Sequence, residues 1–297
     1  MSLTFTTLDV FTSTRFRGNP LAIVQVPTGT DLSQEQKQLI AREFNFSETV
    51  FLHEQTDADV KARNARIDIF TPYAEVPFAG HPTIGTSTYL AQHLKLDSAK
   101  TLITKAGPLP FKALGDGAQL AVAHDVHIHN RPFADTEFGH YPVVGIVKGM
   151  TFILANQPDL EALAKPTENL LGSIAGVYTS HGALDEGFRV GIVVSYFFVD
   201  LGTDADGTRK LRTRSLGSRE DPATGSAASA LCSFLSLTER DGPLVRRYAI
   251  TQGVEMGRQS EISVQVTVNG ARTGVEEVLL SGTAVKVMEG KVDIPQV

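Results

Sequence analysis

The chain has 297 residues, of which 42% are hydrophobic and 20% charged, and its net charge is −6. This is the composition of a globular protein long enough for two domains, and its scattered basic residues exclude an extended nucleic-acid-binding surface. A single cysteine, Cys232, excludes an intramolecular disulfide, and no apolar run is long enough to cross a bilayer. We therefore expect a cytoplasmic protein with neither a nucleic-acid nor a membrane partner.

In the first part of the chain, alternating apolar residues predict strands, and one helix carries a clear start signal. Ser33 is placed to cap a helix that runs to Phe44, with Leu39, Ile40 and Phe44 on its apolar face. A loop and a helix are predicted over EVPFAGHPTIGTSTYLAQHL, which begins at Glu75. The predicted strands are Leu3–Val10, Leu21–Val26, Asn45–His53, Ala65–Phe70, Thr101–Thr104, Pro110–Leu114 and Gln119–Val122.

The second part of the chain repeats this plan. Residues 125–145, rich in His, Pro and Gly, are predicted to cross over between two halves, 1–125 and 126–297, with the last strand a candidate to pack on the first half. A loop and a helix are predicted over EDPATGSAASALCSFLSL, from Glu220. The other predicted elements are a short helix over Gln157–Leu163 and strands over Gly187–Val199, Arg247–Thr251, Glu261–Val268, Val275–Leu280 and Thr283–Met288.

The two quoted segments resemble each other at a fixed spacing. A shift of 145 residues places Glu75 on Glu220 and Gly80 on Gly225, and a shift of 146 places ITKAGPLPF on ITQGVEMGR. Two matches in the same order at nearly the same offset favour an internal duplication. We therefore predict an α+β fold of two similar halves, related by a pseudo-two-fold axis, with a ligand cleft between them.

Each repeated segment places glycine and small hydroxyl residues at a helix start. The first turn of a helix has unpaired N–H groups and a positive dipole end, and glycine lets a ligand approach the backbone. The candidate binding residues for a substrate carboxylate or phosphate are therefore Gly80, Thr224, Gly225 and Ser226. The alternative is that Asp221 and the hydroxyls only cap helices and that the alanines only allow close packing.

Glu48 and His81 are candidate proton carriers. On a strand, Glu48 shares a face with Phe46, Val50 and Leu52, so its carboxyl is expected to be partly dehydrated, which suits a general acid/base. The alternative is a buried glutamate paired with an arginine. His81 follows Gly80 in the first helical turn, where the positive helix end favours the neutral ring. A lone histidine is also compatible with a structural role.

Three weaker patterns in the sequence are not interpreted as metal-binding or catalytic sites. His124, His127 and His129 form a cluster in which only the last two share a strand face, and no carboxylate or cysteine partner is evident, so no metal site is predicted. The stretch Asp204–Gly207 lacks the closing glutamate of a calcium loop and is interpreted as a turn. Cys232 lies in the apolar part of a helix and is interpreted as a packed thiol.

The motifs together resemble those of the phenazine-biosynthesis PhzF-like isomerase family. They are RGNPLAIV, FNFSETVFL, FTPYAEVPFAGHPTIGT, EDPATGSAA and QGVEMGR, from Arg17, Phe44, Phe70, Glu220 and Gln252. The resemblance implies the diaminopimelate-epimerase-like fold, in which each half is a mixed sheet or barrel around a central helix. It also implies a homodimer, no cofactor and no metal.

The resemblance implies catalytic roles for Glu48, His81 and Asp221, with Glu48 as the proton-transferring residue, and places Gly80 and Ser226 around the substrate. Epimerases of this fold carry two thiols, one at each helix start, whereas Ala79 and Thr224 stand at those places here. Proton exchange between two thiols is therefore excluded, and isomerisation is favoured over racemisation.

We thus expect a cofactor-independent isomerase that moves a proton on a small carboxylate-bearing substrate by glutamate general acid/base catalysis. The alternative is a non-catalytic small-anion-binding protein on the same scaffold.

Overall fold

The computed structural model describes residues 1–95, 99–135, 139–172 and 184–297. The chain divides into two compact units. The first unit comprises Met1–Ala121 and Ser281–Val297, and the second comprises Val122–Leu280. Among the described residues, no helix is both long and apolar enough to span a membrane.

The first unit is a mixed sheet with one long buried helix. In chain order its elements are β1 (Ser2–Val10), β2 (Asn19–Val26), α1 (Gln34–Phe44), β3 (Glu48–His53), α2 (Asp57–Ala62), β4 (Asn64–Phe70), β5 (Glu75–Val76), α3 (Gly80–Gln92), β6 (Thr101–Thr104), β7 (Gly107–Leu114) and β8 (Gly117–Ala121). The strand β19 (Val275–Asp293) enters this unit at Ser281 and pairs antiparallel with β1, from Val10↔Ala284 to Ser2↔Asp293.

The sheet of the first unit continues from β1 through neighbouring strands. β1 and β2 are antiparallel, β2 and β3 are parallel with Leu21 opposite Glu48, and β3 and β4 are antiparallel. β4 then pairs with β5 and, in parallel, with β6, and β6, β7 and β8 follow as an antiparallel meander. The strand β3 therefore lies inside the sheet, between β2 and β4.

The predicted start of α1 at Ser33 is confirmed. The Ser33 hydroxyl accepts the N–H of Gln36, and the Gln36 side chain accepts the N–H of Ser33, which makes a capping box. Asn45, in the left-handed region at φ 51°, ends the helix. The predicted strand Asn45–His53 consequently begins later, at Glu48, because Asn45 belongs to the helix cap.

The long helix α3 forms the centre of the first unit. All its residues from Gly80 to Leu90 are buried, and it packs against β1, β2, β3, β7 and β8. Gly85 allows this close approach, because a Cβ atom there would lie 2.6 Å from Cδ2 of Leu21 and 2.7 Å from Cγ2 of Val10. Small and hydroxyl-bearing residues dominate α3 because bulkier side chains would force the surrounding strands apart.

The second unit has its own mixed sheet and its own buried helix. Its elements are β9 (His127–Ile128), β10 (Phe133–Asp135), β11 (Gly139–Tyr141), β12 (Val143–Val147), β13 (Met150–Asn156), α4 (Leu160–Ala164), β14 (Ile192–Thr203), β15 (Thr208–Leu216), β16 (Glu220–Asp221), α5 (Gly225–Thr238), β17 (Val245–Gln252), β18 (Ser260–Val268) and the start of β19. The pairs β13–β14 and β15–β17 are parallel, whereas β9–β12, β12–β13, β14–β15, β15–β16 and β17–β18 are antiparallel. The helix α5 is buried against β12, β13, β17 and β18.

Several predicted elements of the second half were wrong in detail. Residues 125–145 are not simply a crossover, because β9, β10, β11 and the start of β12 lie there, with residues 136–138 outside the described part. The short helix begins at Leu160, since Asp159 caps it by accepting the N–H of Ala162. The two strands predicted after residue 275 are one continuous strand, β19. The turn at Asp204–Gly207 is confirmed, as the Gly207 N–H donates to the Asp204 carbonyl.

Candidate active site

Glu48 and His81 meet in the first unit. Glu48 is the first residue of β3, and His81 is the second residue of α3. Nδ1 of His81 lies 2.8 Å from Oε2 of Glu48, and their side chains are only 4% and 18% exposed. The sequence indicated both residues separately, and the fold brings them together because α3 packs against β3.

The surroundings of Glu48 differ from the predicted single apolar face. Residues Thr49 to Leu52 are all buried, so β3 is covered on both sides. The predicted alternation described only one face of β3, whereas both faces are buried, as expected for a strand inside a sheet that is covered by helices. Glu48 itself keeps partial contact with solvent because it stands at the strand's first position.

A proton in the Glu48–His81 contact can lie on the glutamate oxygen or on the histidine nitrogen. At 2.8 Å, one proton can be shared between a carboxylate oxygen and an imidazole nitrogen. The contact uses Nδ1 of His81, and the opposite nitrogen, Nε2, is buried without a hydrogen-bond partner among the described residues. A buried imidazole nitrogen without a partner is uncommon and calls for an explanation such as a bound ligand.

The start of α3 has neither a side-chain cap nor an acidic residue. Its N-cap residue is Ala79, whose side chain makes no capping hydrogen bond, and the first turn contains no acidic residue. Unpaired N–H groups and the helix dipole therefore leave this end positive, next to His81. The start of α5 in the second unit is similar, because its N-cap residue Thr224 also makes no capping side-chain bond.

Asp221 and Thr224 belong to a polar network in the second unit. The Thr224 hydroxyl donates to Oδ2 of Asp221 at 2.6 Å. Gln252 donates its amide to the Asp221 carbonyl at 2.8 Å and to the Thr224 hydroxyl at 3.1 Å, and accepts from the Tyr196 hydroxyl at 3.0 Å. Burial raises the pKa of Tyr196, so this hydroxyl stays protonated and donates. The network fixes the turn that leads into α5.

Gln252 and Tyr196 were not selected as site residues from the sequence. Gln252 did stand in a quoted motif, QGVEMGR, which is the signal that could have found it. Tyr196 lies within the apolar strand β14 and carries no local signal. Of the other predicted residues, Gly225 begins α5 and Ser226 is buried beside it. The binding roles of Gly80, Thr224, Gly225 and Ser226 stay predictions.

A buried arginine holds the strand that carries Asp221. Arg214 on β15 donates Nε to Oε1 of Glu220 at 2.8 Å and Nη2 to Oε2 at 3.0 Å, a bidentate pair. Its Nη1 donates at 3.0 Å to the carbonyls of Leu163 and Ala164 at the end of α4. Glu220 is thereby fixed next to Asp221, and the Glu220 hydrogen bonds raise the pKa of Arg214 above its ordinary value.

The histidine cluster does have a carboxylate partner, which the sequence did not reveal. Nε2 of His127 lies 2.9 Å from Oδ2 of Asp185, and the Asp185 N–H donates to Nδ1 of His129 at 3.0 Å. Both ring nitrogens that approach Asp185 are thus already engaged. His124 bonds instead to the carbonyls of Val122 and Val275. That the protein needs no metal stays a prediction.

Cys232 is a packed thiol, as predicted. It is fully buried on α5, and burial raises the pKa of the thiol well above its ordinary value. A thiol of this kind is a poor nucleophile and a poor proton carrier at neutral pH. Ala79 and Thr224 are the N-cap residues of α3 and α5, so neither helix start carries a cysteine.

The sequence model of the phenazine biosynthesis-like proteins matches residues 8–169 and 180–290. The chain belongs to this family. It is 32% identical to an uncharacterised isomerase of Mesorhizobium japonicum, over 96% of this chain and 97% of that protein. It is 33% identical to the trans-2,3-dihydro-3-hydroxyanthranilate isomerase of Pseudomonas aeruginosa, over 94% of this chain and 96% of the enzyme.

Solved structures agree on the fold of the chain. A PhzF-family protein of Bacillus anthracis superimposes with a TM-score of 0.74 at 22% identity, covering 99% of this chain and 100% of that one. A hydroxyproline epimerase of Agrobacterium vitis gives 0.66 at 14% identity, with 98% and 91% covered. The α+β fold shared with PhzF-like and epimerase-like proteins is thus confirmed, and the pseudo-two-fold symmetry stays a prediction. The relatives named as isomerases confirm the predicted enzyme class for the family.

Proposed function

We propose that the protein is an isomerase that moves a proton on a small carboxylate-bearing substrate, with Glu48 as the general acid/base and no cofactor. The observation that carries this proposal is the contact of Glu48 with His81, 2.8 Å apart at an uncapped helix start. Relatives at 32–33% identity that are named isomerases support the reaction class. The substrate of the Pseudomonas aeruginosa relative is a cyclic amino carboxylate, which has the predicted chemical features.

In the proposed reaction the Glu48 carboxylate removes a proton from a substrate carbon. The C–H bond breaks, an O–H bond forms on Glu48, and the electron pair left on carbon delocalises into the adjacent unsaturated system. Glu48 then returns the proton to another carbon of that system, and the double bonds shift accordingly. Oε2 faces His81, and Oε1 is proposed to face the substrate. His81 holds the carboxyl in place and can share its proton.

The substrate carboxylate is proposed to bind at the start of α3, where Gly80 allows a close approach to the backbone. In the second unit, the residues proposed to bind substrate are Thr224, Gly225 and Ser226, with Asp221 proposed to act in proton transfer. This part of the proposal rests on the uncapped start of α5 and on the bond from Thr224 that orients Asp221. That both helix starts act on one ligand stays a prediction.

The Glu48→Gln variant tests the proposal. Glutamine keeps the size and an acceptor oxygen for His81 but cannot carry a proton. With trans-2,3-dihydro-3-hydroxyanthranilate as the first assay substrate and other cyclic amino carboxylates after it, kcat is expected to fall about 10²–10⁴-fold with KM nearly unchanged. Glu43→Gln, at an exposed position of α1, is the matched control and is expected to leave kcat unchanged.

Isotope exchange gives a second readout. Product formed in heavy water is expected to contain deuterium at the carbon that receives the proton, provided that the Glu48 proton exchanges before it is returned. A folded Glu48→Gln protein with wild-type kcat would remove Glu48 from the mechanism. Carboxylates that bind the wild-type protein without turnover and without exchange would favour the alternative, a non-catalytic anion-binding protein.

A further inference from the structure

The first unit contains a cavity of about 400 Å³ that the proposed reaction does not use. Its floor is apolar and includes Leu52 of β3, Ala65 of β4 and Leu90 of α3, all of which are buried. Val60 and Leu94 form an apolar rim that is partly open to solvent. Small-molecule pockets typically have volumes of about 300–1,000 Å³ and mostly apolar walls, so this cavity has the size and surface of a ligand site.

The cavity is separate from the Glu48–His81 pair. Leu52 and His53 lie four and five residues after Glu48 on β3, which places His53 about 17 Å from Glu48 along the strand. Leu90 lies nine residues after His81 on α3, about 13 Å along the helix axis. A small ligand in the cavity therefore cannot also contact the proposed catalytic pair, and a different molecule is required to occupy it.

The polar residues of the wall offer hydrogen-bond acceptors. Gln55 donates its amide nitrogen to the carbonyl of Asn64, so its oxygen remains as an acceptor. Nε2 of His53 lies 2.8 Å from Oδ2 of Asp68 and donates this hydrogen bond, because a carboxylate oxygen only accepts. The same Asp68 oxygen accepts from Lys37, which completes a compact charged cluster behind the wall.

Glu54 adds a negative charge to this wall. Its Oε2 accepts the N–H of Thr28 at 2.7 Å, the Thr28 side chain also hydrogen-bonds to this carboxylate, and the carboxylate is exposed. These hydrogen bonds lower the pKa of Glu54 below its ordinary value, so the carboxylate is charged at neutral pH. Among the residues known to line the cavity, Glu54 carries the one permanent charge, since the others are apolar, amides or histidine.

We propose that this cavity is a second ligand site that binds a small, largely apolar molecule bearing a protonated amine. The apolar body would fill the floor, and the ammonium group would donate to Glu54 and Gln55. The class of ligand follows from the complementarity between a cationic donor and a wall of acceptors with one carboxylate. It is the opposite of the anionic substrate proposed for the helix starts.

A single tryptophan can report on the cavity, because the chain contains none. Val60→Trp places the reporter at the partly exposed rim, and Leu201→Trp, at an exposed position of the second unit, is the matched control. Titration of Val60→Trp with 2-phenylethylamine is expected to change the fluorescence saturably. Titration with 2-phenylethanol or 3-phenylpropanoate is expected to require at least about tenfold higher concentrations, and Leu201→Trp is expected not to respond.

The charge of the wall is tested separately. Glu54→Gln in the Val60→Trp protein keeps the acceptor for Thr28 but removes the carboxylate, and it is expected to weaken the amine about three- to tenfold without affecting the alcohol. In the wild-type protein, the amide resonances of Leu52, Ala65 and Leu90 are expected to shift with the amine. The ligand class would be refuted by equal binding of amine and alcohol, and the site itself by the absence of any saturable response in both experiments.

Discussion

Replacing Arg214 with methionine should destabilise the second unit far more than removing an ordinary surface charge. Methionine keeps much of the apolar stem but removes all four hydrogen bonds of the guanidinium group. The change leaves the Glu220 carboxylate and two carbonyls at the end of α4 without their donor. Arg214 is only 6% exposed, so water cannot readily replace those bonds.

The expected cost is about 2–4 kcal/mol in the free energy of unfolding. Breaking a buried ion pair by removing one partner typically costs about 3–5 kcal/mol, because the other charge is left uncompensated. The Glu220 side chain is 19% exposed and can regain part of its hydration, which lowers the estimate. Since whole domains are stable by only about 5–15 kcal/mol, the loss is a large fraction of the total.

The assay is a urea titration followed by hydrogen–deuterium exchange on peptides of the second unit. It reports the free energy of unfolding of that unit directly. Lys210→Met is the matched control, since Lys210 pairs with Asp204 and both side chains are about half exposed, at 52% and 48%. That pair should contribute at most about 1 kcal/mol. Adding Glu220→Gln to Arg214→Met should recover part of the loss by removing the uncompensated charge. If Arg214→Met costs no more than Lys210→Met, the buried pair does not support this unit.

Two further predictions concern the first unit. Burial raises the pKa of Asp68, but hydrogen bonds from His53 and Lys37 outweigh burial and lower the pKa below the ordinary 3.8. The charged carboxylate therefore stabilises the fold above pH 3.8. This contribution is lost as the pH falls through the folded-state pKa. Melting temperatures between pH 7 and 2.5 should therefore differ between wild type and Asp68→Asn at neutral pH and converge in acid, and a constant difference would contradict this. Gly282→Ala should cost about 1–3 kcal/mol, because its Cβ atom would lie within 2.6 Å of Cε1 in the buried Phe11 ring. Gly115→Ala, which meets no atom within 4 Å, is its control in urea unfolding, and equal effects of the two changes would refute the packing argument.

Elements with local signals could be predicted from the sequence. Ser33 and Gln36 form a capping box within four residues, so the start of α1 was readable before the structure. The helices that begin at Gly80 and Gly225 were also predicted, because each lies in one of the two repeated segments that were interpreted as a loop followed by a helix. The short helix α2 was missed, although Thr56 and Asp59 form another capping box, which is a helix start signal within four residues.

Features that depend on distant residues could not be predicted in this way. Asp185 is 58 residues from His127, and nothing in either neighbourhood indicates that they meet. The burial of β3 on both faces depends on what packs against the sheet, which a period-two pattern does not encode. For the candidate site, the sequence indicated Glu48 and His81 from their own surroundings, whereas their 2.8 Å contact required the fold.

The course of β19 has a consequence for how the protein is made. The residues of the second unit are contiguous, but the first unit is completed by residues 281–297, which pair with a strand that begins at Ser2. On the ribosome, β1 therefore emerges about 280 residues ahead of its β19 partner, which at typical synthesis rates of about 5–20 residues per second is a wait of some 14–56 seconds. During that interval one edge of β1 is exposed to other strands in the cell. Chaperone capture of nascent chains should consequently concentrate on the first unit, although it is synthesised first.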